Sequence, residues 1–171
     1  ILFKVLDVVG KNAPNALTNT NAWYYSWMKY FDYSKIAYSG KMTRHGCGFY
    51  PGNSLITNWG VMNAAFGIQR IQFESENPFW CNEFNTMTSV PNSIRKSAYA
   101  TLMYGNQMVC GWTWQSMWAG EEQYLQGMID WDGVPNRKYD EYKKIAAEFK
   151  KIEKYFPYKN KAEVGLAFSF A

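Results

Sequence analysis

Cysteine is scarce in this chain of 171 residues, which has only Cys47, Cys81 and Cys110. No two of them stand in C-x-x-C spacing, and an odd number rules out a complete set of intramolecular disulfides. Zinc would need clustered partners that the sequence does not offer, so free buried thiols are expected. Histidine is scarcer still, with His45 alone. A Ser- or Cys-based triad would have to use it beside Cys47, in a Gly-rich stretch without a nucleophile elbow, and is set aside. No apolar run approaches the roughly 18 residues of a membrane-spanning helix, so no membrane partner is expected. G-x-G-x-x-G and phosphate-loop patterns are missing, which argues against a nucleotide. No metal or organic cofactor is expected. Nor does one sign of charge dominate, since the net charge is +4. The basic residues gather in KYDEYKKIAAEFKKIEKYFPYKNK, where they alternate with carboxylates as on a solvated helix face. Without an Arg-rich run, nucleic acid is not expected as a partner. No internal repeat, low-complexity tract or signal peptide is seen. The first residue is Ile1, and ILFKVLDVVGKN reads as a helix already under way. The true N-terminus is therefore expected upstream, with any targeting signal, and the compartment stays open between cytoplasmic and secreted.

Aromatic residues are plentiful. They make up 19% of the chain, with eight Trp and thirteen Tyr, within an apolar content of 47%. That is enough for one domain with a sizeable core. Aromatics also form flat floors on which sugar rings and bases stack. Leu2, Val5, Leu6 and Val9 stand at helical spacing, predicting a helix from Ile1 to about Asn12, stopped by Pro14. ALTNTN (16–21) and KIAYSG (35–40) are strand candidates, with the aromatic segment AWYYSWMKYF between them as a short helix or loop. RHGCGFYPGN, rich in glycine, reads as a long loop. SLITNWGVMNAAFGIQR (54–70) reads as a helix, and 78–83 as a strand. SIRKSAYATLMYGN is a helix stopping at Gly105, QMVCGWTWQS (107–116) a strand, and 138–156 a helix ended by Pro157. AEVGLAFSFA reads as a further strand. Strands alternating with helices, the strands almost continuously apolar, predict an α/β fold with a parallel sheet and helices outside it.

In such a fold the chemistry gathers at the C-terminal ends of strands. NPFWCNEFNTMTS (77–89) puts a lone carboxylate, Glu83, at one of them. A carboxylate in an aromatic bowl suits glycoside cleavage, where it meets the positive charge developing on the sugar. Asn82, Asn85, Thr86 and Trp114 are local candidates for the donors that a nucleophilic carboxylate needs. Glu74 and Glu76 precede the strand and read as a polar loop on the opposite face, while Asp130 and Asp132, in IDWDG, read as a turn. Trp23, Tyr24, Trp27 and Trp118 are candidate sugar platforms, the first three more plainly packing residues.

Three segments carry a resemblance. PFWCNEF resembles the Phe-Trp-x-x-Glu strand of glycoside hydrolase family 42, the β-galactosidases built on a (β/α)8 TIM barrel. SIRKSAYATLMYGNQMVCGWTWQS resembles that family's Arg-bearing helix, turn and aromatic strand ending in Trp. EEQYLQGMIDWDGVPNRKYDEYKKIAAEF resembles its Glu-bearing loop, Asp-Gly turn and closing helix. Upstream, PNALTNTN resembles the fifth barrel strand, and AEVGLAFSFA the strand opening the next domain. The resemblance implies a half barrel, strands five to eight, over 1–157, with 158–171 as linker and first strand of a following domain. It implies retaining hydrolysis of a β-linked terminal sugar, most directly a β-galactoside. Glu83 would be the nucleophile. Trp114, Gln115, Trp118, Glu122 and Asn21 would contact substrate. The acid/base Glu, which follows an Asn on the fourth strand, would lie upstream of this chain.

The sequence departs from the family pattern. Gln115 stands where the family often has Arg, Leu125 where it has His, and the interval from Glu83 to Arg95 is shorter than usual. These changes bear on galactose specificity more than on glycoside chemistry. The partners implied are a carbohydrate and the remainder of the barrel, with a homo-oligomer left open. The alternatives are a glycosidase for another sugar, such as an arabinoside or mannoside, and a non-catalytic carbohydrate-binding protein on a degenerate barrel.

Overall fold

The computed structural model describes residues 2–19, 21–22, 35, 38–50, 79–85, 90–123, 126–156 and 163–164. The elements run α1 (Leu2–Asn12), β1 (Asn21–Ala22), β2 (His45–Phe49), β3 (Phe79–Asn85), α2 (Ser93–Met103), β4 (Asn106–Trp112) and α3 (Arg137–Ile152), with a 3-10 turn at Glu153–Tyr155. The strands form one sheet in the order β1-β2-β3-β4, every neighbouring pair parallel. Among the described residues this is the predicted parallel sheet, its strands in sequential order, with α2 and α3 packed on one face.

That face is dry. Cys47 and Phe49 of β2 and Phe79, Cys81 and Phe84 of β3 meet Ile94 and Ala98 of α2 and Ile145 of α3 in one buried cluster. α2 reaches it because Ile94, Ser97, Ala98, Thr101 and Leu102 recur at helical spacing along its buried side. Gly105 follows α2 with φ of +82°, and its N–H bonds Leu102 O at 2.8 Å, the left-handed stop that glycine allows. α3 starts at Asn136, whose side chain accepts the N–H of Lys138. Tyr142 of α3 crosses β4 at Gly111, where a Cβ would lie 2.9 Å from the Tyr142 ring and hydroxyl. A larger residue there would displace the Tyr142 ring.

Four expectations are corrected. The Gly-rich HGCGF, predicted as loop, is strand β2. Its glycines looked like breakers, but Cys47 and Phe49 alternate onto the core. Gly46 is small because the Asn82 amide of the next strand lies against it. KIAYSG, predicted as a strand, is not one over its described residues: Lys35 and Tyr38 are helical, and Gly40 turns the chain with φ of +67°. ALTNTN stays irregular through Asn19 and joins the sheet only at Asn21, so β1 is shorter than predicted. Free buried thiols hold for Cys47 and Cys81, whose ionisation burial pushes well up, but Cys110 is exposed. Val109 and Gly111 face the helices, which turns Cys110, between them, to the other side. The predicted helix at 54–70, the segments 23–30 and 165–171, Glu74, Glu76, Thr86 and Leu125 lie outside the described residues.

Candidate active site

The face of the sheet turned away from the helices is polar, and a bulge decides what it carries. Phe79 and Cys81 alternate onto the core, but the next core residue on β3 is Phe84 rather than Glu83. One extra residue has been taken up. Cys47 pairs with Cys81 and Gly48 with Glu83, so the register with β2 skips Asn82. Toward β4, Cys81 pairs with Val109 and Phe84 with Gly111. Bulges of this kind re-aim side chains. By plain alternation Glu83 would share the face of Cys81, among Phe49, Ile94 and Ala98, where a carboxylate without polar partners is costly. Instead Asn82 and Glu83 both point to the polar face.

Three rungs of contacts line that face. Arg44 lies over the Trp80 ring, 5.6 Å from its centroid. Asn19 Nδ2 donates to Asn82 Oδ1 at 2.7 Å. At the third rung Asn21 Nδ2 donates to Glu83 Oε1, and the Tyr50 hydroxyl donates to Glu83 Oε2 at 2.7 Å. Both carboxylate oxygens are thus held by neutral donors from two other strands. Tyr50 keeps its proton, because burial raises its ionisation far above the ordinary tyrosine range and the hydrogen bond and charge of Glu83 raise it further. It is therefore the donor in the bond to Glu83.

The predicted site residues are placed as follows. Asn21 reaches Glu83. Glu122 is exposed and accepts the indole N–H of Trp112 at 3.2 Å. Trp112 closes β4, one pair beyond Phe84–Gly111, opposite Asn85. Its alternation with Val109 and Gly111 puts it on the polar face. Trp114, 59% exposed, stands edge-on to Tyr139 of α3 with ring centroids 6.0 Å apart. Gln115 is exposed, and its backbone bridges to Ile129. Trp118 is 74% exposed. Asp130 and Asp132 form a turn as predicted: Asp132 Oδ1 accepts the Val134 N–H at 2.9 Å, and Gly133 has φ of +81°. Among the described residues no three His, Cys, Asp or Glu side chains are grouped to hold a metal ion.

Tyr50 and Trp112 were missed in the sequence. Tyr50 ends the stretch predicted as loop, and the signal that finds it is parity with Gly46 and Gly48 once HGCGF is taken as a strand. Trp112 is found the same way, by counting from Val109 and Gly111. The donors to Glu83 are also not the local ones expected. They come from Asn21 and Tyr50, 62 and 33 residues away in the chain.

Toward the C-terminal end of β3 the Glu83 carboxylate is thus held by an asparagine and a tyrosine from two other segments. The sequence profile of glycoside hydrolase family 42, described as β-galactosidase, matches residues 5–152. The chain belongs to this family. The β-galactosidase BgaA of Clostridium cellulovorans is 22% identical over 182 aligned residues, covering 95% of this chain and 26% of that protein. Among solved structures, a catalytic mutant of Gan42B, a GH42 β-galactosidase from G. stearothermophilus, superposes with a TM-score of 0.72 at 16% identity, over 91% of this chain and 25% of that one. The β-galactosidase of the psychrophilic Marinomonas ef1 gives 0.71 at 16%, over 88% and 26%. The fold of this family 42 chain is therefore part of a (β/α)8 barrel, and the chain spans about a quarter of the length of these relatives.

Proposed function

We propose that this chain supplies the nucleophile half of a retaining β-galactosidase. The observation that carries this reading is Glu83: turned off the core by a bulge, presented on the polar face, and gripped at both oxygens by Asn21 and Tyr50. A Glu83 oxygen attacks the anomeric carbon while the glycosidic C–O bond breaks. The leaving oxygen takes a proton from a second carboxyl group. That group belongs to the part of the barrel preceding this chain. It then takes a proton from water, whose oxygen displaces Glu83 from the sugar and restores the configuration.

Asn21 and Tyr50 fix the orientation of the carboxylate and leave each oxygen a lone pair for the attack. Trp112 offers an apolar wall beside it, with Glu122 tethered to the indole and free at its other oxygen for a sugar hydroxyl. Trp114, Gln115 and Trp118 stand on the loop after β4, where an exposed indole can cover a sugar face. The test is Glu83→Gln in the full-length protein that contains this chain, with aryl β-galactosides as substrates. Turnover should fall by about 10⁴-fold with folding intact, as for loss of a covalent nucleophile. Turnover within tenfold of wild type (about 1.4 kcal/mol of barrier) would remove Glu83 from the chemistry. A wild type that cleaves aryl arabinosides or mannosides faster than galactosides would move the substrate but leave the mechanism.

A further inference from the structure

The bulge that aims Glu83 needs something to hold it. An extra residue in a strand can slip by one register step, and a slip sends every following side chain to the other face. We propose that Asn82 is a positioning residue for Glu83: its amide, clamped by Asn19 and seated on Gly46, locks the bulge that turns Glu83 to the polar face. This rests on the reading of Glu83 as nucleophile.

Three observations meet at Asn82. It is the residue skipped in the register between β2 and β3. Its Oδ1 accepts Asn19 Nδ2 at 2.7 Å, a bond that spans from the segment before β1, across β2, to β3. Its amide fills the space a side chain at residue 46 would occupy. A Cβ on Gly46 would lie 2.4 Å from Asn82 Nδ2 and 2.7 Å from its Cγ and Oδ1. Glycine in a strand interior costs stability and marks close approach. Here what approaches is the amide of the bulge residue itself.

The neighbouring rung depends on this. Asn19 and Asn21 stand two apart and reach Asn82 and Glu83 in turn. If Asn82 leaves its seat, Glu83 moves relative to Asn21 and Tyr50, though neither donor has been touched. Asn82 itself needs no contact with substrate for this role.

The experiment uses the full-length protein and the aryl glycoside that the wild type cleaves best, reading kcat, KM and melting temperature together. Asn82→Ala and Gly46→Ala should each lower kcat by about 10²-fold, with KM changed by less than about threefold, the signature of a misplaced reacting group. Gly46→Ala removes no hydrogen-bonding group, so its loss reports displacement of the amide. Asn82→Asp keeps the shape and the acceptor for Asn19, and should restore kcat to within about tenfold of wild type. Asn19→Ala should lower kcat less than Asn82→Ala and add nothing to it in the double variant.

Wild-type kcat in folded Asn82→Ala and Gly46→Ala overturns the proposal. If neither variant folds, Asn19→Ala decides, since it loosens the clamp from the exposed side; wild-type kcat there overturns the proposal as well. Glu83→Gln runs alongside. An inert Glu83→Gln with fully active Asn82→Ala refutes the positioning role alone, whereas an active Glu83→Gln refutes the nucleophile reading beneath it.

Discussion

The two faces of β2 and β3 are built from alternate residues of the same few segments, yet they obey different rules. Facing the helices are Cys47, Phe49, Phe79, Cys81 and Phe84, sealed by Ile94, Ala98 and Ile145. Facing away are Gly46, Tyr50, Trp80, Asn82 and Glu83, joined by Arg44, Asn19 and Asn21. On the first face any apolar side chain of suitable volume fits, because dispersion and burial have no direction. On the second each group has a particular partner at a particular distance, and no substitute supplies the same bond. Stability therefore resides on one side of the sheet and the candidate chemistry on the other. The bulge at Asn82 is where one strand changes from serving the first to serving the second.

The largest effect that would test this division is Phe84→Ala. Phe84 is fully buried, with its ring 6.1 Å from Phe49 and 6.3 Å from Tyr142. Truncation should cost about 3–5 kcal/mol, read by denaturant unfolding of the full-length protein. The molecules that still fold should keep their KM, because Phe84 points away from Glu83. A changed KM at normal stability would show that the two faces are not separable. Next comes Tyr50→Phe, which deletes one hydroxyl and leaves the ring. Loss of a hydrogen bond to a charged group is worth about 1.5–3 kcal/mol. If that bond serves the transition state, kcat falls by about 10- to 100-fold while the unfolding midpoint in denaturant stays near wild type. An unchanged kcat would reduce Tyr50 to packing.

The same division explains what could be read from the sequence. The apolar face announces itself by period. Ile94, Ala98 and Leu102 recur at helical spacing in α2, as Tyr142, Ile145 and Phe149 do in α3, and the apolar run before Glu83 predicted β3. The polar face has no such signal. HGCGF looked like loop because two of its glycines suggested flexibility, whereas Gly46 is small on account of Asn82, 36 positions downstream. The donors to Glu83 were sought among its sequence neighbours, yet a strand's lateral neighbours come from other strands. Glu83 is legible as a candidate from where its segment ends and what that segment resembles. The bulge that aims it was not legible, since alternation in PFWCNEF is broken by one residue and only the pairing with β2 and β4 reveals which.

A third setting, the half-exposed seam between α2 and α3, supplies the smallest effect and a control on both faces. Arg95 Nε bonds Glu148 Oε2 at 2.8 Å, and the Tyr99 hydroxyl bonds the same oxygen at 3.0 Å. The Arg95 hydrogen bond holds the Glu148 carboxyl below its ordinary value, with the Tyr99 bond helping and partial desolvation opposing. A carboxyl whose folded value is depressed contributes stability above its unfolded value, near 4.5, and loses it as pH falls through the folded value. Exposed pairs of this sort are worth little and are screened by salt. Arg95→Ala should therefore lower the melting temperature by no more than about 2 °C at pH 7. The difference from wild type should shrink below the ordinary carboxyl range and in high salt. Neither kcat nor KM should move, because the seam is separated from Glu83 by the whole apolar layer. A kinetic effect of Arg95→Ala would mean that α2 transmits its position through Ile94 and Ala98 to β3, and that the apolar face does more than hold the strand in place.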